Sequence, residues 1–177
     1  MFNLHCDGGV KMMGAARETA AKGNPPPLVI GVTILTSLSY DGLHQIGGGV
    51  TLCPDAGGSL SQKEKDESVR RRVELLTASA RHAGLNGVVA SPKETRFIRE
   101  IYSDDFLIVT PAIRPTGATQ DDQERVGTAR QAILDGANYL VVGRPIYEAE
   151  DALAAVQNLN AEVEQALAER EKGAVAV

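Results

Sequence analysis

Five short apolar runs divide the chain, and longer segments of mixed polarity separate them. The second run, residues 28–35, is almost continuously apolar and rich in β-branched residues, which is typical of a parallel strand buried on both faces. We predict one β-strand from each run. In chain order the predicted strands are residues 2–6, 28–35, 87–90, 107–113 and 139–143.

The segments between these runs repeat apolar residues at helical spacing, and we predict six helices from them. Ser91 and Pro92 stand at the cap and first-turn positions of one helix, and Gly136 ends another. The predicted helices are residues 10–22, 39–46, 59–83, 93–102, 128–136 and 151–170. Strands that alternate with helices predict a parallel α/β sheet. We expect one domain over residues 1–170 and a loose tail over 171–177.

Two of the predicted strands end in an arginine that is followed by a proline. Arg114 follows the fourth strand, and Arg144 follows the fifth. Loops after the last two strands of an α/β barrel frequently bind phosphate, and a guanidinium group matches phosphate oxygens well. Gly143 stands where a backbone would have to approach an anion closely. The sequence therefore predicts a site for a phosphorylated small molecule.

Composition narrows the class of protein without identifying it. The chain has 177 residues, of which 43% are hydrophobic and 23% charged, as in an ordinary globular domain. Its net charge of −5 argues against nucleic-acid binding. We find neither a membrane span nor a signal peptide in the sequence, so we expect a cytoplasmic protein without a membrane partner. The two cysteines, Cys6 and Cys53, lack metal-type spacing and are expected to be reduced thiols.

Six segments resemble the bacterial type of orotidine 5′-monophosphate decarboxylase, in family order and at family-like spacing. They include Val-Thr-Pro-Ala-Ile-Arg-Pro at 109–115 and Val-Gly-Arg-Pro at 142–145. The resemblance implies a (β/α)₈ TIM barrel, here incomplete with about five parallel strands, that forms a homodimer. It also implies conversion of orotidine monophosphate to UMP and CO₂ in pyrimidine biosynthesis, without a metal or organic cofactor. The other segments are 3–5 with 8–9, 32–37, 84–89, and 122–123 with 125.

The resemblance assigns roles to five residues. Thr36 would contact the pyrimidine ring, and Arg114, Gln123 and Arg144 would hold the 5′-phosphate with help from the backbone N–H groups of Gly143 and Arg144. The loop 115–125 is similar to the segment that folds over the phosphate in the family. From the residues alone, a solvent-exposed Gln123 and a Thr36 that serves only local backbone groups remain open alternatives. A hydrogen-bonded structural role is expected for His5.

The catalytic part of the family motif is missing from this sequence. The family uses Asp-x-Lys-x-x-x-x-Asp on its third strand, and no Asp-x-Lys occurs among the 177 residues. We therefore expect that the chain lacks the first three β/α units, has no catalytic residue of its own and is inactive alone. We also expect unpaired edges at the first and last strands, and a surface elaboration at residues 55–68.

Two alternatives to the decarboxylase stay open at this point. One is a sugar-phosphate lyase or epimerase on the same type of barrel, although no metal-binding acids appear at the predicted strand ends. The other is a non-catalytic, truncated protein that binds a nucleotide phosphate.

Overall fold

A computed structural model describes residues 1–46, 60–115 and 125–175 of the chain. Its centre is a parallel sheet in which each strand pairs with the next strand along the chain. The five predicted strands are confirmed, although each is shorter than its apolar run. They are β1 (Phe2–His5), β2 (Val29–Val32), β3 (Gly87–Val89), β4 (Leu107–Thr110) and β5 (Tyr139–Leu140).

Helices follow the strands, and each of the six predicted helices is present with adjusted ends. The α-helices in the described residues are α1 (Gly9–Ala20), α2 (Tyr40–Gln45), α3 (Gln62–His82), α4 (Pro92–Ile101), α5 (Ala129–Leu134), α6 (Arg144–Tyr147) and α7 (Ala152–Val175), and a 3₁₀ turn over Cys6–Gly8 leads from β1 into α1. The single turn α6 is not predicted, because four residues are too few to show a helical periodicity. Helix α7 runs to Val175, so residues 171–175 are helical where the sequence predicts a loose tail.

Strand β2 is buried at all four of its positions, as the apolar run predicts. Gly31 explains how closely the neighbouring elements pack on this strand. A Cβ atom at Gly31 would lie 2.5 Å from the Cys6 sulfur and 3.2 Å from the Ala80 Cβ. The absent side chain therefore lets α3 and the segment after β1 approach the β2 backbone directly.

The connections from helix to strand use the same device twice. Gly84 and Gly136 have positive φ, and an asparagine stands two residues after each. The Asn86 Oδ1 accepts a hydrogen bond from the Val29 N–H at 2.9 Å, and the Asn138 Oδ1 accepts one from the Ile108 N–H at 2.8 Å. Each asparagine thereby ties the start of one strand to a strand that it neighbours, which fixes the sheet register.

The core lies mainly between the sheet and the helices α1, α3 and α4, and a smaller cluster packs α5 against α7. The two outer strands are less covered. Within the described residues, β1 pairs only with β2 and β5 only with β4, and Phe2 and Tyr139 are 41% and 47% exposed. The two predicted sheet edges are therefore present. None of the described helices is both long enough and apolar enough to cross a membrane.

Candidate functional site

The residues singled out by the sequence follow the carboxyl ends of three strands. Thr36 comes after β2, Arg114 after β4, and Gly143 and Arg144 after β5. Parallel strands end at one edge of their sheet, so these segments belong to the same end of the molecule.

The register of β4 and β5 relates the two arginines to each other. Thr110 pairs with Leu140 at the end of the ladder, and the Val141 N–H donates to the Thr110 carbonyl at 2.9 Å. Arg114 follows Thr110 by four residues, and Arg144 follows Leu140 by the same number. Two cationic residues thus stand at equivalent positions beyond neighbouring strand ends, an arrangement suited to a dianionic group.

Arg114 is held by its backbone and is only 8% exposed. Its N–H donates to the Gly127 carbonyl at 2.9 Å, and its Nη1 donates to the Ile113 carbonyl at 3.1 Å. The segment before it turns sharply out of the sheet, because Ala112 adopts a φ of 59°. A buried arginine with a fixed backbone suits recognition of an anion better than a solvated surface arginine would.

Gly143 and Arg144 lie where the chain changes from strand β5 to helix α6. The Gly143 carbonyl accepts hydrogen bonds from the N–H groups of Ile146 and Tyr147, and Arg144 is the first helical residue. A Cβ atom at Gly143 would lie 3.3 Å from a ring carbon of Tyr147. The small residue therefore keeps the backbone accessible beside the half-buried Arg144.

Thr36 lies half-buried in the turn that follows β2. The segment leading to it is fixed at two points. The Thr33 hydroxyl donates to the Val89 carbonyl of β3 at 2.9 Å, and the carbonyls of Ile34 and Leu35 accept hydrogen bonds from the Arg125 Nη2 at 2.9 and 2.7 Å. The segment that leads to Thr36 is therefore restrained by its contacts with β3 and with Arg125.

The Arg125 side chain forms a buried ion pair that the sequence does not reveal. Its Nη1 donates to the Glu94 Oε1 at 2.7 Å, and the two side chains are 7% and 5% exposed. The other Glu94 oxygen, Oε2, accepts hydrogen bonds from the backbone N–H and the hydroxyl of Ser91. One buried guanidinium thus connects the loop after β2 to the first turn of α4, which follows β3.

Only part of this network has a signal in the sequence. Ser91 and Glu94 show the Ser-x-x-Glu spacing of a capping box at the start of α4. Arg125 lies 31 residues beyond Glu94, and no periodicity connects the two. Its partners follow from the packing of three loops, which a pattern along one chain does not encode.

Some residues for which the sequence makes a prediction lie outside the part of the chain that the structure describes. Gln123 lies outside the described residues, as do Cys53 and residues 55–59 of the predicted surface elaboration. The structure describes residues 60–68 of that stretch. Ser61 caps α3 with a capping box that includes Glu64, and the following residues to Ser68 form the first two turns of this helix.

A cavity of about 450 Å³ lies at the ends of β1 and β2. Its lining includes His5, Asp7 and Thr33, and Asp7 forms an ion pair with Arg72 of α3. The adjacent Cys6 is buried and free, and burial raises the pKa of its thiol to about 12, with a smaller contribution from the Asp7 carboxylate. Cys6 is therefore a packing residue and not a thiolate nucleophile at neutral pH.

A second cavity, of about 750 Å³, lies between α3 and α4 beside Arg125. Its lining carries charges of both signs from helix surfaces, Asp66 and Lys93 among them, and not the strand-end residues. The described residues contain no group of three or more His, Cys, Asp or Glu side chains placed to hold a metal ion.

Comparison with known proteins relates this geometry to one family. The family model for the orotidine 5′-phosphate decarboxylase / HUMPS family matches residues 1–159. The chain is 43% identical over 170 residues to the orotidine 5′-phosphate decarboxylase of Moorella thermoacetica, covering 93% of this chain and 61% of that protein. It is 42% identical over 174 residues to the enzyme of the same name from Syntrophotalea carbinolica, covering 96% and 64%.

Solved structures of similar proteins have the same arrangement of strands. The orotidine 5′-phosphate decarboxylase of Lactobacillus acidophilus superposes with a TM-score of 0.67 at 31% identity, over 91% of this chain and 62% of that one. The orotidine 5′-monophosphate decarboxylase of Sulfolobus solfataricus shares the fold with a TM-score of 0.55 at 17% identity, over 94% of this chain and 62% of that one. The parallel sheet with its flanking helices is therefore part of a TIM-barrel fold. The chain spans about three fifths of the length of the relatives it matches.

Proposed function

Because the chain belongs to the orotidine 5′-phosphate decarboxylase / HUMPS family, we propose that it provides the phosphate- and pyrimidine-binding half of an orotidine 5′-monophosphate decarboxylase. The observation that carries the proposal is the equivalent placement of Arg114 and Arg144 beyond the paired strands β4 and β5. The substrate class is a pyrimidine nucleoside monophosphate. Its 5′-phosphate is a dianion that two guanidinium groups can bind together.

Each residue to which the family resemblance assigns a role has one task in this proposal. Arg114 and Arg144 bind the phosphate oxygens, Gly143 leaves room for backbone N–H donation, and Gln123 adds an amide donor. Thr36 contacts the pyrimidine ring from the loop after β2. Such contacts bind a part of the substrate that does not react, and their binding energy organises the site where the carboxylate leaves.

The chemical step requires groups that this sequence does not contain. Decarboxylation breaks the bond between C6 and the carboxylate, and the electron pair left on C6 must be protonated by a lysine. In the family the Asp-x-Lys-x-x-x-x-Asp segment provides that lysine and the carboxylates beside the leaving CO₂. No Asp-x-Lys occurs in the sequence. We therefore propose that the 177-residue chain binds but does not turn over substrate.

Four further properties belong to the proposal. We propose that the working enzyme is a cytoplasmic homodimer without metal or organic cofactor, and that it has no nucleic-acid partner. The sugar-phosphate lyase or epimerase has no observation in its favour. The relatives from Moorella and Syntrophotalea carry the decarboxylase name.

Calorimetric titration with UMP tests the proposed site. Wild-type chain is expected to bind UMP weakly, and Arg144→Ala is expected to lose roughly tenfold or more in affinity, because a charge-assisted pair is worth about 1.5–3 kcal/mol. Arg130→Ala is the matched control, since Arg130 is an exposed arginine that pairs with Glu169 on the helical side. Equal affinity of wild type and Arg144→Ala would refute the assignment.

Turnover of orotidine monophosphate tests the second part of the proposal. With the purified chain, the absorbance of orotidine monophosphate is expected to fall no faster than in the uncatalysed reaction. Turnover at a rate typical of enzymes would contradict the statement that the chemistry depends on residues absent from this sequence.

A further inference from the structure

We propose that Arg125 is a positioning residue that holds the loop carrying Thr36 at a fixed spacing from the strand end carrying Arg114. The inference rests on the proposed function for the roles of Thr36 and Arg114. The family-like segments include Arg125, but the resemblance assigns this residue no role of its own.

The first step is the connection from Arg125 to the loop after β2. Its Nη2 donates to the carbonyls of both Ile34 and Leu35, at 2.9 and 2.7 Å. These are the two residues immediately before Thr36. A rigid, planar fork that binds two successive carbonyls fixes the direction in which the chain continues.

The second step is the connection from Arg125 to the end of β4. Two residues after Arg125, Gly127 forms a bridge with Ile113, and its carbonyl accepts the Arg114 N–H at 2.9 Å. Gly127 also donates its N–H to the Ala112 carbonyl at 3.3 Å. The backbone that carries the Arg125 guanidinium is thus the backbone that holds Arg114.

The third step is the anchor that keeps the guanidinium in place. Glu94 is 5% exposed and has its two oxygens occupied by Arg125 and Ser91. The Thr95 hydroxyl donates to the Ser91 carbonyl at 3.0 Å and lies 3.2 Å from the Thr110 hydroxyl at the end of β4. The Arg125 Nε is buried without a hydrogen-bond partner, and the two Nη atoms make the contacts of the network. Because these contacts lie in a buried, weakly polar environment, they restrict the geometry of the groups that they join.

If Arg125 fixes the spacing between the Thr36 loop and the strand end that carries Arg114, its replacement should affect two kinds of ligand differently. A ligand that contacts both segments depends on the distance between them, whereas a ligand that contacts only the phosphate residues does not. Arg125→Lys keeps the positive charge beside Glu94 but cannot donate to the carboxylate and two carbonyls in the same geometry. Arg125→Ala is unsuitable, because it would leave a buried carboxylate without compensation.

Titration of the full chain with UMP and, separately, with inorganic phosphate provides the test. Arg125→Lys is expected to bind UMP roughly tenfold more weakly while its affinity for phosphate stays unchanged. An equal loss for both ligands, or no loss for UMP, would overturn the proposal. Arg99→Lys is the matched control. Arg99 donates to the Gly136 carbonyl and to Asn138, just before β5 at the opposite end of the sheet.

Amide hydrogen exchange decides the proposal without any ligand. In the wild type, the Leu38 N–H donates to the Leu35 carbonyl and the Arg114 N–H to the Gly127 carbonyl. Arg125→Lys is expected to speed exchange of the Leu38 amide, because the loop before Thr36 loses its side-chain contacts with Arg125. The Arg114 amide, whose partner is a backbone carbonyl, is expected to exchange as in the wild type, and Arg99→Lys is expected to change neither amide. Unchanged exchange of the Leu38 amide in Arg125→Lys would show that Arg125 does not position the two segments. If the wild type binds neither UMP nor phosphate, the proposed function fails, and the exchange result still decides the role of Arg125.

Discussion

Ala112 has a backbone conformation that its side chain disfavours. Its φ of 59° lies in the left-handed region, and the residue is 9% exposed, two positions before Arg114. The conformation turns the chain out of β4 and lets the Ala112 carbonyl accept the Gly127 N–H. Strain of this kind is frequent where the surrounding structure fixes a functional segment.

Replacement of Ala112 by glycine is therefore expected to stabilise the chain. Ala112→Gly should raise the free energy of unfolding by about 1 kcal/mol, since glycine adopts positive φ without the Cβ clash. Urea denaturation measures the change. Ala132→Gly, in the middle of α5, is the control and should lower the free energy of unfolding by about 1 kcal/mol. Equal destabilisation by both substitutions would contradict the strain at Ala112.

The Cys6 thiol makes stability depend on pH in the alkaline range. Burial, with a smaller contribution from Asp7, raises the pKa of the folded thiol from 9.0 to about 12. The unfolded state therefore releases its proton at a lower pH than the folded state does. The stabilisation that comes from the neutral buried thiol is complete below pH 9.0 and is lost as the pH rises towards about 12.

The pH dependence of unfolding checks this sign. Above about pH 9 the free energy of unfolding of the wild type should fall more steeply than that of Cys6→Ala, although the variant is less stable overall. Cys53 is present in both proteins and cancels in the comparison. Parallel curves for the two proteins would show that Cys6 titrates alike in the folded and unfolded states.

At the scale of elements, the apolar runs predict the strands but overestimate their lengths. Ile113 shows the reason, because it is 1% exposed although it lies beyond the last residue of β4. The apolar pattern indicates that a residue is buried, but it does not indicate whether its backbone forms hydrogen bonds with a neighbouring strand. Helix starts are easier to predict, because serine and threonine are preferred at the N-cap position. Four helices have such an N-cap residue: Ser39, Ser61, Ser91 and Thr128.

Substitution of Gly87 tests how closely the backbones of β3 and β4 pack against each other. A Cβ atom at this position would lie 2.1 Å from the Leu107 carbonyl oxygen, which belongs to the backbone and cannot move aside. Gly87→Ala is expected to lower the free energy of unfolding by about 3 kcal/mol, as overpacking does. Gly14→Ala in α1 is the control, because a Cβ there meets nothing within 4 Å. The control should gain up to about 1 kcal/mol from helix propensity, and similar losses in thermal stability for both would contradict the clash.

At the scale of the whole molecule, the sheet has two open edges among the residues that the structure describes. Phe2 on β1 and Tyr139 and Val141 at β5 are apolar and 41%, 47% and 52% exposed. Unpaired strand edges with apolar side chains favour association between molecules. The described five-stranded sheet is part of a TIM-barrel fold, and the chain spans about three fifths of the length of the relatives it matches.

We expect the chain to self-associate through these edges. Sedimentation velocity should show association that increases with concentration, and Phe2→Lys together with Tyr139→Lys should reduce it. Leu75→Lys is the control, because Leu75 is 63% exposed on α3, away from both edges. An equal reduction by Leu75→Lys, or a monomeric wild type at high concentration, would contradict association through the edges.

The sequence by itself determined the α/β class, the order of strands and helices and the placement of two arginines after neighbouring strands. These properties follow from local composition and from motifs that are contiguous along the chain. Only the tertiary structure decided that Thr110 pairs with Leu140, so that Arg114 and Arg144 each lie four residues beyond one paired position, and that Arg125 binds Glu94 and the loop before Thr36. Such contacts join residues that are far apart in the chain. They depend on how the sheet packs its loops together, which no local pattern records.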